Sequence, residues 1–230
     1  DPLLAELVGI SLSVREGEGY YLPTGHAAGK QLPRETIVQA LRPIFENKKL
    51  AKVGHNAKYD MAVLHEAGIE VRGLKFDTML GAFLIEPGVP IGLKKLAKAQ
   101  LSIEMTEIEE LIGTGKKQIT MAQVPVAAAA PYAAADADVP LRLRAQQEAE
   151  LREKNLYPLF EKVEMPLVPV LMDMEMTGIL IDAPYLRAPL LSDRAPAREE
   201  GGRQVPAPQP HLLDRRRQGM HRGPVDLPHR

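Results

Sequence analysis

Between Leu50 and Leu80 the hydrophobic period switches back and forth, and this alternation constrains the fold more than any other feature of the chain. "LAKVGHN" reads as a short strand ending at Gly54. "AKYDMAVLHEAGI" then reads as a helix, with Tyr59, Val63 and Leu64 on one face and Gly68 as its stop. "VRGLKFDTML" gives a second strand that runs into a helix at Asp77–Thr78. Upstream, "LVGISLSVREGEGYYLPTG" reads as two strands around a turn: Val8, Ile10 and Leu12 alternate with small or polar residues, and "REGEG" supplies the turn. In "PRETIVQALRPIFENKK" an amphipathic helix places Ile37, Leu41, Ile44 and Phe45 together. Strands alternating with helices imply an α/β layer fold. From Gly92 onward helical patterns dominate. Ala127 to Leu151 reads as one long helix or two, and "YPLFEKVEMPLVPVLMDMEMTGILID" as an apolar helix running to Gly178 and then a short strand.

Composition narrows the classes. With 230 residues and 45% hydrophobic content, the chain can hold one ordinary domain and part of another. A net charge of −1 speaks against an electrostatic DNA coat, but not against an enzyme with a local basic groove. The absence of cysteine removes disulfide frameworks and thiolate metal sites, and fits a reducing, cytoplasmic setting. Apolar runs such as "VPVAAAA" fall far short of the ~20 residues of a membrane span. "DPLLAELVGI" has neither a basic n-region nor a starting Met, so the chain reads as a piece of something longer. Near Arg187 the character changes: from Pro184 on there are 9 Arg, no Lys and 8 of the 20 prolines. Residues 187–230 are expected to be an out-of-frame translation of a GC-rich gene or, failing that, a disordered Arg/Pro tail.

The candidate chemistry lies in acids placed where helices begin or bend. Asp60 follows "HNAKY", Asp77 sits in "KFDTML", and Asp136 and Asp138 lie in "YAAADAD" with Tyr132 four residues before Asp136. On a helix, positions i and i+4 share a face, so the Tyr132 hydroxyl and the Asp136 carboxylate can point into one pocket. Carboxylates are natural ligands for Mg²⁺ or Mn²⁺. Two such ions, roughly 3.5–4 Å apart, can activate a water and stabilise the leaving oxygen of a phosphodiester. Asp77 before Thr78 reads better as a helix N-cap than as a ligand, and Asp138 is expected to face elsewhere on the helix. His55 and His65 do not make an H-E-x-x-H zinc motif and read as surface or hydrogen-bonding residues. "GTGKK", Gly113–Lys117, lacks phosphate-loop spacing and reads as a solvated turn or a lysine-bearing loop that meets a DNA backbone.

In order along the chain stand "KVGHNAKYDMAVLHEAGIEVRGLKFDTMLGAFLIEP", "EELIGTGKKQIT", "PYAAADADVPLRL" and "EMPLVPVLMDMEMTGILID". Together they closely resemble bacterial DNA polymerase I (family A), in its proofreading 3′→5′ exonuclease domain and the start of its polymerase domain, over roughly Leu7 to Asp182. The resemblance implies an RNase H-like (DEDD exonuclease) fold, a mixed sheet flanked by helices, with the first strand missing and a helical C-terminal extension. It divides the chain into an N-terminally truncated exonuclease domain (1–152), the start of a polymerase domain (153–186) and the tail. It also implies that Asp60 and Asp136 bind a divalent metal (Mg²⁺, or Mn²⁺ or Zn²⁺), that Tyr132 positions the attacking water, and that Asn56, Ile108, Lys116 and Lys117 meet the DNA. The implied partner is a single-stranded 3′ end or primer-template, handled by a monomer in the bacterial cytoplasm. His55 departs from the glutamine expected there. The family's first motif, Asp-x-Glu on the first strand, is expected upstream of Asp1, and Glu16 and Glu18 of the hairpin turn cannot replace it. Two other readings compete: an exoribonuclease of the RNase D type, against which "EMPLVPVLMDMEMTGILID" speaks, and a non-catalytic module that holds DNA or braces a polymerase.

Overall fold

The computed structural model describes residues 2–182. The expectations for residues 187–230, and the end of the segment 153–186, therefore lie outside the described residues. The elements run in chain order as β1 (Gly9–Arg15), β2 (Glu18–Pro23), α1 (Arg34–Phe45), β3 (Lys52–Gly54), α2 (Ala57–Glu66), β4 (Leu74–Asp77), α3 (Thr78–Ile85), α4 (Leu93–Leu101), α5 (Ile108–Ile112), α6 (Val126–Glu153), α7 (Tyr157–Leu159) and α8 (Met165–Thr177). A π-helical turn, Phe160–Glu164, joins the last two.

Both pairings of a mixed sheet are found, but in two separate two-stranded sheets. β1 and β2 form an antiparallel hairpin in which Ile10 faces Leu22 and Leu12 faces Tyr20. β3 and β4 pair in parallel, with Gly54 opposite Asp77 at their ends. The 28-residue helix α6 joins the halves by packing against all four strands. Two strands alone form a marginal sheet in water, so the helix beneath them does much of the stabilising. The approach is close: a Cβ on Gly19 of β2 would lie 2.5 Å from the Ala134 carbonyl oxygen. At the hairpin turn, the Asp138 carboxylate accepts from the Gly17 N–H at 2.8 Å and pairs with Arg142. Asp138 thus turns away from Asp136, as its helical phase requires.

Three apolar clusters hold these layers. Ile10, Ile37, Val38, Leu41, Leu64 and Ile69 bring the hairpin onto α1 and α2. Phe76, Ile85, Leu151, Phe160 and Met165 join β4 and α3 to the end of α6 and the helices after it, with the Phe76 and Phe160 rings 4.6 Å apart between centroids. Ala82, Leu96, Ala97, Val139 and Leu143 pack α3 and α4 onto the middle of α6.

Three local expectations need correction, and one alternative left open is decided. Ile44 is 48% exposed and Val38 is buried in its stead, because α1 lays the Ile37–Val38–Leu41 edge on the hairpin. Tyr59 is 43% exposed, while Met61, Ala62 and Leu64 are the buried face of α2. The stretch after Gly178 forms no strand: Ile179 and Leu180 are exposed and find no partner strand among the described residues. The segment from Ala127 is one helix, although Pro131 and Pro140 lie inside it. Pro140 is buried, and its packing offsets the lost hydrogen bond.

Candidate active site

The two strand-to-helix joints are built around Asp77. Its Oδ1 accepts from the N–H groups of Met79 at 2.9 Å and Leu80 at 3.4 Å, capping α3. Across the joint the same carboxylate accepts from Asn56 N–H at 3.1 Å and Ala57 N–H at 2.7 Å, capping α2 as well. Helix starts leave such donors without partners, and a carboxylate also suits the positive end of the helix dipole. Asp77 is 1% exposed, so those four N–H groups stand in for its water. Its role is the cap that its place before Thr78 indicates. Asn56 takes the left-handed backbone conformation (φ 58) that lets the chain leave β3 and enter α2 within two residues. His55 Nδ1 lies 2.9 Å from Thr78 Oγ1, and burial pushes its pKa down against the pull of Asp77.

Asp60, in the first turn of α2, is an exposed residue. Protein crowds this carboxyl while leaving it reachable from solvent. The crowding, followed by the negative charges of Asp77 and Asp136, pushes its pKa up to about 7. The pKa of Asp136 on α6 is also raised by burial, against the opposing effects of Lys94 and of hydrogen bonding with Tyr132. Tyr132, one turn earlier, holds its phenol proton far more tightly than usual, through burial and then the charge and hydrogen bonding of Asp136. Glu107 and Glu109, beside and on α5, add to that effect. Tyr132 and Asp136 thus share one face of α6, and Asp60 on α2 is near enough to Asp136 for their charges to act on each other.

A residue that the sequence reading passed over joins them. Lys94 of α4 places its Nζ 4.0 Å from Asp136 Oδ1 and 4.1 Å from the centroid of the Tyr132 ring. In "GLKKLAKAQL" only helical phase distinguishes it: Lys94 stands three residues before the buried Ala97, whereas Lys95 is exposed.

Beside Tyr132 opens a cleft of about 200 Å³, lined by Ile103, Met105, Leu111, Ala128 and Pro131 among others. Ile108 is 36% exposed at the start of α5. Lys116 and Lys117 lie exposed in a 3₁₀ turn, Gly115–Lys117, beyond α5. Nothing brings these two lysines against Asp60 or Asp136. Asn56 lines a second, smaller cleft with Lys58, Leu80 and Leu171, between α2, α3 and α8.

Asp136 Oδ1 is buried and has no hydrogen-bond partner, an arrangement that calls for a cation or a donor. With Asp60 it offers the hard carboxylate oxygens that Mg²⁺-like ions take. Asp77 is held by four N–H groups, three on Oδ1 and one on Oδ2, and serves the two helix starts. Among the described residues no group of three or more His, Cys, Asp or Glu is placed to hold a metal ion. The donors fit a divalent cation in kind, and two acids are what these residues contribute.

The model of the 3′-5′ exonuclease family of A-type DNA polymerases matches residues 1–152. The chain belongs to that family. DNA polymerase I of Chloroflexus aurantiacus is 48% identical to it over 189 residues, which make up 81% of this chain and 20% of the relative. Among solved structures, the POL domain of Pol1 from M. smegmatis, in complex with DNA primer-template and dNTP, superposes with a TM-score of 0.58 at 26% identity, covering 74% of this chain and 26% of that one. NrnC of Brucella melitensis with bound Mg²⁺ superposes with a TM-score of 0.50 at 19% identity over 76% of this chain and 87% of its own, a likeness of fold. The chain spans about a fifth of the length of the Chloroflexus polymerase. Its α/β architecture with a helical C-terminal part is that of the exonuclease family. No helix among the described residues is long and apolar enough to cross a membrane.

Proposed function

We propose that this chain carries the proofreading 3′→5′ exonuclease domain of a bacterial DNA polymerase I, acting in the cytoplasm as a monomer on single-stranded 3′ ends of DNA. In this reading residues 1–152 form the nuclease, and the helices from 153 onward lead into a polymerase domain. The observation that supports the reading is a buried Asp136 oxygen left without a hydrogen-bond partner, on the α6 face that also carries Tyr132 and within reach of the Asp60 charge. Asp60 and Asp136 would hold divalent metal, with Mg²⁺ as the working ion. When bound, such ions supply the charge that activates water and stabilises the leaving oxygen of a phosphodiester.

The chain's own groups then have distinct tasks. The Tyr132 hydroxyl keeps its proton and orients the attacking water by hydrogen bonding, which a phenolate could not do as a donor. The apolar cleft beside Tyr132 takes the terminal base by contact with its face, and Ile108 wedges against the next one. Such contacts hold a strand end without reading its sequence. Lys116 and Lys117 meet the phosphate backbone farther along the strand.

Two carboxylates give a weak site for an ion that parts reluctantly with its water. The 230-residue chain is therefore expected to trim a labelled DNA 3′ end slowly or not at all. The same chain joined to a preceding Asp-x-Glu strand should trim it briskly with Mg²⁺, and Asp136→Asn in the joined protein should abolish trimming. Brisk trimming that survives Asp136→Asn, or a preference for RNA ends, would overturn the reading.

A further inference from the structure

Lys94 is not used by the reaction just described, yet its ammonium is buried within the fold. Nζ is buried without a hydrogen-bond acceptor, and so is the nearest anionic atom, Asp136 Oδ1, at 4.0 Å. Neither atom has a hydrogen-bond partner, so each is the other's nearest charge compensation. Lysine ammonium groups avoid such places unless a negative charge repays the lost hydration. The neighbouring Lys98, by contrast, reaches solvent and pairs with Glu104 at 2.9 Å. Beneath Lys94 lies the ring of Tyr132, close enough for a cation–π contact. One side chain from α4 thus touches both α6 residues assigned to the reaction.

We propose that Lys94 is the resident counter-cation of this site: it holds Asp136 and Tyr132 in place in the metal-free chain, and a divalent cation displaces it from Asp136. This rests on the reading of Asp60 and Asp136 as metal ligands. A divalent ion at Asp136 Oδ1 would stand within a few ångströms of the ammonium, and like charges at that distance repel strongly in a half-buried site. The four-carbon stem lets Nζ swing to another acceptor, and the anion that arrives with the metal in a nuclease is a phosphate oxygen of the substrate. Lys94 is a positioning residue in this account, acting through Asp136 and Tyr132. The divalent ion binds at the expense of an internal ion pair.

The test uses the full 230-residue chain and its Lys94→Met and Lys94→Arg variants. Mn²⁺ affinity is measured by calorimetric titration, and thermal unfolding in EDTA reports the metal-free state. Lys94→Met should melt lower in EDTA yet bind Mn²⁺ at least about tenfold more tightly. Lys94→Arg keeps the charge and should stay near the parent in both measurements. A merely structural lysine would lower the melting temperature and leave Mn²⁺ affinity unchanged or weaker, which overturns the proposal. If Lys94→Met fails to fold, Lys94→Gln carries the same two expectations. If neither parent nor variant binds Mn²⁺ at millimolar concentration, the metal-site reading itself falls, and the exchange with it. Binding by the parent with equal affinity in the variant sinks the exchange alone.

Discussion

Asp60 and Asp77 are acids whose charges act on each other, with opposite fates. Asp77 has four N–H donors around a buried carboxylate, so its charge is satisfied. Asp60 has crowding and two like charges, so its proton is favoured. Replacing Asp77 by Ala removes the acceptor for two helix starts at once. At ~1 kcal/mol per cap, and more for buried donors left unpaired, a loss of about 2–4 kcal/mol is expected in urea denaturation. For Asp60 the sign runs the other way. A carboxyl whose folded pKa, about 7, lies above its ordinary 3.8 binds its proton more readily in the folded chain. Its contribution therefore favours folding at low pH and is lost as pH rises through that window. Asp136, also raised, adds in the same direction. Stability of the metal-free chain should fall between about pH 4 and about pH 7, and Asp60→Asn should flatten that fall. Equal slopes in the two proteins would show that the Asp60 carboxyl is not crowded as described.

At the scale of elements, α6 is the member on which the others depend. It carries Tyr132 and Asp136, supports both sheets, and does so with two prolines in its interior. Each proline removes one i→i−4 bond, and Pro140 leaves the Asp136 carbonyl without its usual helical donor. Pro131 is exposed, so its ring contributes less packing to offset that loss. Pro131→Ala is expected to stabilise the chain by about 1 kcal/mol or more, measured by denaturant titration. The hairpin makes the reverse demand. Gly19 lies so close to the Ala134 backbone that a methyl group there cannot fit without moving β2 or α6. Gly19→Ala should cost about 1–3 kcal/mol, as overpacking does, and should move the amide resonances of Ala134 and Asp136. Unchanged stability would mean that the hairpin can lift from the helix freely.

At the scale of the described residues, a nuclease-family α/β body carries Asp60 on α2 and Asp136 on α6 close enough for their charges to interact. The helices after Glu153 pack through Phe160 and Met165 onto the same core as Phe76 and Leu151. Cutting the chain at residue 152 is therefore expected to expose Phe76 and lower the melting temperature by several degrees, since the loss of about 1 kcal/mol shifts Tm by ~2–4 °C at this size. An unchanged melting temperature in a 1–152 fragment would show that those helices add nothing to the nuclease core. The α8 end bears a further link, an ion pair between Glu175 and Lys58 of α2.

The sequence by itself determined what depends on neighbours within a turn or two. It showed the strand–helix alternation, the Asp77 cap before Thr78, the shared helical face of Tyr132 and Asp136, and the family through the order of its motifs. Local period and capping chemistry are written in consecutive residues and need no partner. Tertiary structure decided what depends on which surfaces meet. It split the strands into two pairs over α6, turned Ile44 and Tyr59 outward, and kept α6 whole through two prolines. It also brought Lys94 from a helix rich in lysines onto Asp136 and Tyr132. Desolvation and Coulomb attraction act between groups far apart in the chain, so no spacing in the sequence could announce that contact.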